Sequence, residues 1–369
     1  MERGHVRGLD GIRAIAALLV FAEHQVWPFH WMRSGDLGVE LFFVLSGYLI
    51  IGILTSRAER IESGSATKGA EILRFFAHRS FRIFPAYYAL IGIFVVLAAL
   101  FSQIRLDYSL FPLYLTYTTN IGFAYYFQEW PQTQNFSHFW TLAIEEQFYL
   151  LMAPIFLRLA PARHRAACLV VLAVAGAMAI ALILLGMPWF TLRMDSLVNF
   201  GYLAIGGLIS QTTRAAPGTR SGGVFLAAAG LAALLGFCFL TRPADGAAFA
   251  VDVAMGACSG LLIWQVVRNQ KSGFVSALEV GWLRRIGKIS YALYLWHIFV
   301  KLPRTGIAFE GIDLIVVANL AISLALAQAS WWLIESPSLK LRDRVLPRIE
   351  RWHGRRTRPA SASQDQTVA

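Results

Sequence analysis

The first apolar run of the chain reads Gly8-Leu-Asp10-Gly-Ile-Arg13-Ala-Ile-Ala-Ala-Leu-Leu-Val-Phe-Ala-Glu23-His24. In a helix, Arg13 and His24 lie on one face, roughly 16 Å apart along the axis. One interpretation is a functional path, with a titratable ring about half a bilayer core away from a charge. The other is interfacial anchoring of Arg13 and packing of a hydrogen-bonded His24. The helix alone does not decide between them.

The composition predicts an all-α, polytopic integral membrane protein. The chain has 369 residues, of which 57% are hydrophobic and only 15% are charged, with a mean hydropathy of +0.54. Soluble domains carry nearer a quarter of charged residues. Three cysteines lie in apolar runs without paired spacing, which indicates neither a disulfide framework nor a metal site. No small-residue cleavage site follows the first apolar run, so we expect that run to be retained as a helix.

About ten apolar runs are long enough to be transmembrane helices. They fall near 11–31, 38–56, 83–103, 139–158, 167–187, 195–212, 223–240, 248–267, 286–303 and 312–333. The aromatic segment 105–137 fits either an interfacial stretch or one more short or re-entrant helix.

The basic residues predict the orientation. With the N-terminus in the cytoplasm, 27 of the Lys and Arg residues fall on the cytoplasmic side and 6 on the opposite side. This distribution favours two cytoplasmic termini and explains the net charge of +11 without nucleic acid as a partner. The cytoplasmic charge suits anionic membrane lipid or an anionic cytosolic ligand. We expect a membrane-embedded domain over 1–337 and a basic tail over 338–369 that begins helical and becomes disordered.

Polar side chains inside the predicted spans are functional candidates because burying them is costly. Arg79 and Arg82 are three residues apart, so they share a helix face that fits either a phosphate clamp or positive-inside anchoring. Adjacent Glu145 and Glu146 lie about 100° apart on a helix. We expect one of them to face a partner such as His24 and the other to face an arginine or a polar cavity.

Further polar residues divide between the two predicted membrane halves. Ser46 and Gly47 fit either helix packing or a site, and Asp195 fits either a helix N-cap or a partner of Arg193. Ser290, Tyr294 and His297 follow a polar helix stripe. The predicted outer half holds His24, Glu145, Glu146, Arg193, Asp195 and His297, and the inner face holds Arg13, Arg79, Arg82, Lys288 and Glu335. Two polar centres on opposite sides are what transfer across a bilayer would need.

The ordered motifs resemble the acyltransferase-3 family of integral membrane acyltransferases. Beside Arg13 and His24, they are Gly38-Val-Glu40-Leu-Phe-Phe-Val-Leu-Ser46-Gly47-Tyr48, Arg79-Ser-Phe-Arg82-Ile-Phe-Pro85, Trp140-Thr-Leu-Ala-Ile-Glu145-Glu146-Gln147-Phe-Tyr149, Arg193-Met-Asp195, Gly287-Lys-Ile-Ser290-Tyr291, His297 and Glu335-Ser-Pro337. Glu40 stands where the family often has Asp, and Thr141 and Ala143 stand where Ser is usual. The chain ends soon after the last motif, so it resembles the stand-alone type without a hydrolase-like domain.

The resemblance implies transfer of an acyl group, usually acetyl, from cytosolic acyl-CoA to a hydroxyl of a sugar or lipid-linked glycan. Such acceptors are lipopolysaccharide, capsule or another exported glycan at a bacterial inner membrane. His24 would be the essential base, and Arg79 and Arg82, with Lys288, would meet the phosphates of CoA. No metal is expected to take part.

These roles lead to a mechanistic hypothesis. His24, with a reference pKa of about 6.5, would accept the proton of the attacking hydroxyl, while Glu145 or Glu146 orients its ring. Donors to the developing oxyanion would be Tyr294, His297 or Arg193. Arg13 would guide the acyl donor or pair with Asp10 or Glu335. The residues assigned to substrate binding are Glu40, Ser46, Arg193, Asp195, Tyr294 and Glu335.

Two questions stay open at this point. Direct transfer and an acyl-enzyme intermediate both fit the sequence; Ser46 is a conceivable relay, although it has no adjacent base in the sequence. A proton-coupled transporter or exporter of a small solute or glycan also uses intramembrane Glu, His and Arg. The chain lacks the repeat of interrupted helices typical of such transporters, which favours the enzyme.

Overall fold

The computed structural model describes residues 6–127, 136–213, 222–243, 245–302, 308–309 and 312–356, which are almost entirely helical. The predicted all-α class is confirmed at this level, apart from one antiparallel pair of two-residue strands. The first nine helices are α1 (Leu9–Gln25), α2 (Trp27–Trp31), α3 (Ser34–Glu62), α4 (Lys68–Leu100), α5 (Phe111–Leu115), α6 (Thr119–Ile121), α7 (Phe139–Phe156), α8 (His164–Leu184) and α9 (Trp189–Met194).

The second part of the chain continues the helical architecture. Its helices are α10 (Ser196–Thr212), α11 (Gly222–Thr241), α12 (Asp245–Arg268), α13 (Gly273–Leu278), α14 (Gly281–Lys288), α15 (Ser290–Trp296), α16 (Leu314–Ser330) and α17 (Ser336–Arg356). The strands β1 (Ala308–Phe309) and β2 (Ile312–Asp313) precede α16. Short 3₁₀ turns are Tyr108–Leu110, Pro161–Arg163 and His297–Phe299, and π-helical turns are Gly122–Phe127 and Trp331–Glu335.

Five helices in the described part of the chain are long and apolar enough to cross a membrane. They are Ser34–Glu62, Lys68–Leu100, Pro161–Leu184, Gly246–Arg268 and Leu314–Pro347, and a shorter apolar helix covers Phe225–Thr241. The ten-span count and the cytoplasmic termini stay predictions. Within 105–137 the structure has short 3₁₀, α and π turns, while 128–135 lie outside the described residues.

Two sequence-based boundaries are wrong. The predicted span 286–303 is not one helix, because α14 ends at Lys288, α15 covers only Ser290–Trp296 and a 3₁₀ turn follows. Helix α14 packs against α1 so closely at Gly287 that a Cβ there would lie 1.9 Å from the carbonyl oxygen of Asp10. The connection 57–82, which the predicted spans 38–56 and 83–103 leave as a loop, is largely helical, since α3 extends to Glu62 and α4 begins at Lys68.

Helix α3 lies at the centre of the structure. In its most apolar stretch 78% of the residues are buried, and it packs against α1, α10 and α12. Small residues allow these close approaches: a Cβ on Gly47 would lie 1.9 Å from the carbonyl oxygen of Leu203, and one on Gly206 would lie 1.9 Å from that of Val44. The packing role considered for Gly47 is therefore confirmed.

A buried carboxylate fixes the start of α4. Glu71 is fully buried and forms ion pairs with Arg57 at 2.8 Å, Arg74 at 3.0 Å and Arg60 at 3.4 Å. The pairs with Arg57 and Arg60 join α3 to α4 about two turns before Arg79. The chain after Glu335 packs on α4, where the Ser338 hydroxyl donates to the Phe81 carbonyl at 2.7 Å. The part of the predicted disordered tail beyond Arg356 lies outside the described residues.

We predict that Gly206→Ala lowers the free energy of unfolding by about 1–3 kcal/mol, because the added methyl group forces α10 away from α3. The matched control is Gly176→Ala in α8, where a Cβ would meet no atom within 4 Å. Thermal unfolding of the purified variants measures the difference. Equal stability of the two variants would contradict the close α3–α10 packing.

Candidate active site

Two cavities adjoin in the middle of the helix bundle. The first, the arginine cavity, has a volume of about 110 Å³, and its polar lining comprises Arg13, Ser46, Arg79, Arg82, Thr141, Glu145, Glu146, Tyr149, Ser290, Tyr291 and Tyr294. The second, the histidine cavity, has about 570 Å³ and is lined among others by Glu23, His24, Trp31, Asp36, His138, Trp140, Trp189, Arg193 and Tyr294. Val39 and Tyr294 line both. A wall about one side chain thick therefore separates them.

The predicted polar stripe on α15 lies at this wall. Ser290 lines the arginine cavity and Tyr294 lines both cavities. Buried His297 follows in the 3₁₀ turn, with its ring centroid 5.1 Å from that of His24. The Tyr294 hydroxyl donates to the His138 carbonyl at 2.9 Å and lies 2.7 Å from Thr141 Oγ1. These hydrogen bonds hold the tyrosine in the wall.

His24 projects into the histidine cavity with a fixed ring orientation. Its Nδ1 lies 2.8 Å from the Val20 carbonyl oxygen. Because a carbonyl oxygen only accepts, Nδ1 carries the proton of this hydrogen bond. In the neutral ring Nε2 is then the unprotonated nitrogen, as a general base requires.

Two further histidines surround this ring. His297 Nδ1 is held by the Tyr294 carbonyl at 2.7 Å, and His138 Nε2 lies 3.2 Å from the Leu295 carbonyl. The other nitrogen of each ring is buried and forms no hydrogen bond within the described residues. The described residues contain no group of three or more His, Cys, Asp or Glu side chains with the geometry of a metal site.

The predicted pairing of a Glu with His24 is wrong. Glu145 accepts hydrogen bonds from the Ser46 hydroxyl at 2.6 Å and from the Tyr149 hydroxyl at 3.0 Å. Both Glu145 and Glu146 line the arginine cavity, and neither lines the cavity that contains His24. Although they lie about 100° apart on α7, both carboxylates reach the arginine cavity.

The arginines of α4 face the arginine cavity together, as their three-residue spacing predicts. Arg79 also lies over the ring of Tyr149, with 5.6 Å from its guanidinium carbon to the ring centroid. Arg13 of α1 lines the same cavity and pairs with Asp10 at 3.2 Å, which is one of the two partners considered from the sequence. Three guanidinium groups therefore converge with two carboxylates, a set that suits an anionic ligand.

Lys288 does not belong to this group. It lines a separate groove with Arg284, Arg285 and two tryptophans, and this groove shares no lining residue with the arginine cavity. Its expected common site with Arg79 and Arg82 is therefore wrong. The physical reason is the break at Ile289, which turns the basic end of α14 away from the stripe on α15.

A chain of ion pairs between buried and half-buried side chains lies along the histidine cavity. Arg193 pairs with Asp36 at 2.5 Å, and Arg33 pairs with Asp36 at 2.7 Å and with Asp252 at 2.5 Å. The indole nitrogen of Trp189 donates to Asp252 at 2.7 Å, and Arg193 lies over the Trp140 ring at 5.2 Å. Charges at this depth persist only when paired, so the network fixes α3, α9 and α12 relative to one another.

Three of the residues predicted to bind substrate lie outside both cavity linings. Asp195 is the N-cap of α10, accepting from the Val198 backbone at 2.8 Å, and it also accepts from the Tyr125 hydroxyl at 2.5 Å. Glu40 is fully buried, 3.7 Å from Arg193. Glu335 is buried at the end of the π-helical turn, with Ser330 at 3.5 Å. The Asp195 side chain is thus engaged within the protein, whereas both carboxylate oxygens of Glu40 and Oε2 of Glu335 are buried without a hydrogen bond to any described residue.

The residues that sequence reasoning missed include Arg33, Asp36 and His138 of the cavity lining and their buried partner Asp252. Asp252 falls inside a predicted span, so the cost of an intramembrane charge was a usable signal for it. Arg33 and Asp36 lie in the short connection between two predicted spans, where charges are common. Only their partners in α9 and α12 distinguish them from ordinary surface charges.

We predict that Arg193→Met destabilises the protein by about 3–5 kcal/mol, because it leaves Glu40 buried without its nearest positive charge. The double variant Arg193→Met with Glu40→Gln should regain part of this loss. Thermal unfolding of the purified single and double variants measures both effects. A single variant as stable as the parent, or a double variant no better than the single one, would show that Arg193 does not neutralise Glu40.

The chain is similar to known O-acetyltransferases. The chain is 28% identical over 375 residues to the peptidoglycan O-acetyltransferase OatA of Listeria monocytogenes, covering 92% of this chain and 56% of that protein. It is 26% identical over 363 residues to the O-acetyltransferase OatA of Staphylococcus aureus, covering 91% and 57%. The chain thus spans somewhat more than half the length of these relatives. No solved structure matches it.

A family model described as an acyltransferase domain matches residues 6–334, nearly the whole described part of the chain and every residue of both cavities. The chain belongs to the acyltransferase-3 family.

Proposed function

We propose that the protein is a multi-pass enzyme of the bacterial inner membrane that transfers an acetyl group from acetyl-CoA to a hydroxyl of an exported or lipid-linked glycan. The observation that carries this proposal is the pair of adjoining cavities. One presents three arginines, and the other presents a histidine whose Nδ1 is held by the Val20 carbonyl. The relatives named as O-acetyltransferases support the reaction, and the peptidoglycan in one of their names supports a glycan acceptor.

The charge distribution supports an orientation for the two cavities. Arg79 and Arg82 follow the basic segment 57–82, which the positive-inside pattern assigns to the cytoplasm. The arginine cavity would then open toward cytosolic acetyl-CoA, and the histidine cavity toward the outer side. The domain 1–337 would hold the whole site, with 338–369 as a cytoplasmic tail.

The arginine cavity fits one end of the donor. A volume of about 110 Å³ is room for a thioester arm but not for a whole CoA molecule. Arg79 and Arg82 are half-buried, so their guanidinium groups can meet phosphates at the mouth while the arm enters. Arg13 would add a third positive charge beside the carbonyl group.

The proposed reaction takes place at the shared wall. The acceptor hydroxyl attacks the thioester carbonyl carbon while His24 Nε2 takes its proton, and a carbon–oxygen bond forms. The carbon–sulfur bond then breaks, and the CoA thiolate leaves with the proton returned by the imidazolium. Tyr294, at the wall between the cavities, is a candidate donor to the oxyanion if its hydroxyl proton turns from the His138 carbonyl toward the substrate.

Ser46 supplies a second possible route for the acetyl group. The sequence offers it no adjacent base, but its hydroxyl donates to Glu145 at 2.6 Å. A carboxylate in this position can activate a serine for a covalent relay. We favour direct transfer. The test supplies donor without acceptor and searches for an acetyl group on Ser46 by mass spectrometry. Acetylated Ser46 would show that the covalent relay operates instead.

The histidine cavity fits a carbohydrate acceptor. Its volume of about 570 Å³ is five times that of the arginine cavity, and its walls include Trp31, Trp140 and Trp189. A sugar ring has an apolar face, which can pack on an aromatic side chain, and hydroxyl groups, which can bond to adjacent charged groups. Arg193 and Asp36 would contribute those polar contacts.

We predict that His24→Asn lowers acetyl transfer by about 10²–10⁴-fold. The asparagine amide retains a donor for the Val20 carbonyl but cannot accept a proton. The measurement is transfer of labelled acetyl from acetyl-CoA to glycan in membranes, at matched protein levels. Activity within a few-fold of the parent would remove His24 from the role of base.

We predict that Arg79→Ala with Arg82→Ala raises the apparent KM for acetyl-CoA about tenfold or more, because charged hydrogen bonds to phosphate are lost. The value of kcat should fall much less, since phosphate contacts act equally in the ground and transition states. Arg163→Ala with Arg165→Ala removes the same charge from two exposed positions and serves as control. An unchanged KM would assign the α4 arginines to membrane anchoring.

A further inference from the structure

A third concave region takes no part in the proposed reaction. This basic groove, of about 560 Å³, lies between α14 and the π-helical turn after α16. Its lining includes Arg284, Arg285, Lys288, Trp331 and Trp332. None of these residues lines the arginine cavity or the histidine cavity. The groove is therefore a separate candidate binding site.

The sequence of α14 directs its basic face into the groove. Leu283 and Gly287 are buried on the side of the helix that packs against α1. Arg284 and Lys288 are one helical turn apart, and Arg285 lies beside them, so the three form the opposite face. The same close approach that fixes Gly287 against Asp10 thus holds three cations toward the groove.

The positive charge of the groove is largely uncompensated. Arg284 lies 3.6 Å from Glu279, whose other carboxylate oxygen accepts from the Gly8 backbone at 2.6 Å. Arg285 and Lys288 are exposed and form no ion pair with any residue that the structure describes. An anionic ligand would supply the missing charge.

The apolar rim of the groove indicates the kind of anion. Trp332, which lines the groove, is 62% exposed. The residues that follow the lining residues Trp332 and Gly281 in the chain are also exposed, Leu333 by 76% and Trp282 by 61%. Large apolar side chains next to cations are typical of the membrane interface, where tryptophans lie at the level of the lipid headgroups. A free nucleotide has no acyl chain to cover such a rim, whereas a phospholipid does.

We infer that the basic groove binds the phosphate headgroup of an anionic phospholipid, with the acyl chains lying along Trp332 and Leu333. Basic pockets beside membrane helices on the cytoplasmic side are suited to such headgroups. The segment 268–288 falls on the side that the basic-residue distribution assigns to the cytoplasm. The inference does not depend on acetyl transfer.

The test compares lipid retention by the full-length protein, purified in micelles containing equal amounts of phosphatidylglycerol and phosphatidylcholine. Native mass spectrometry measures the fraction of protein that carries each lipid. The groove variant is Arg285→Gln with Lys288→Gln, and the matched control is Arg163→Gln with Arg165→Gln. The charge-preserving variant Arg285→Lys with Lys288→Arg tests whether charge restores binding in a folded protein.

We expect the parent and control to retain phosphatidylglycerol over phosphatidylcholine, and the groove variant to lose roughly tenfold or more of that retention. The charge-preserving variant should behave like the parent. Equal retention by groove variant and control, or equal binding of both lipids by the parent, would overturn the inference. Displacement of phosphatidylglycerol by excess CoA would overturn it as well, and would assign the groove to a nucleotide.

Discussion

The ion pair between Arg193 and Asp36 joins α9 to the central helix α3 at the wall of the histidine cavity. Arg33 and Asp252 extend it to α12. Glu40 lies 3.7 Å from Arg193, so two arginines are paired with three carboxylates inside the bundle. Removing one member would leave its partner buried without compensation, at a cost of several kcal/mol. The same network sets the position of the cavity wall opposite His24. The need to pair these charges therefore determines both how the three helices are joined and how the histidine cavity is shaped.

Local periodicity was enough to predict one half of the candidate site. The three-residue spacing of Arg79 and Arg82 places both in one cavity, and the stripe on α15 follows the predicted helix face as far as Tyr294. These relations depend only on the geometry of a single helix. Helical class and family resemblance could be predicted for the same reason, since composition and ordered motifs are properties of the chain itself.

Relations between helices could not be derived in this way. One of Glu145 and Glu146 was expected to face His24. Glu145 instead accepts a hydrogen bond from Ser46 of α3, because the packing of α7 against α3 decides which partner it meets. The break after Lys288 carries no proline, and it depends on the contact of Gly287 with α1. Asp36 and Arg33 resemble surface charges until α9 and α12 supply their partners. Tertiary packing, rather than local propensity, determines each of these outcomes.

In the proposed reaction, donor and acceptor enter the two cavities from opposite sides of the membrane and meet at Tyr294. The most direct measurement uses sealed inside-out vesicles in which the glycan acceptor is enclosed. Membrane-impermeant labelled acetyl-CoA is added only to the outside, which is the former cytoplasmic face. We predict that label appears on the enclosed glycan and is absent from vesicles of the opposite orientation. Label that appears only when donor and acceptor share one compartment would contradict transfer between the two cavities.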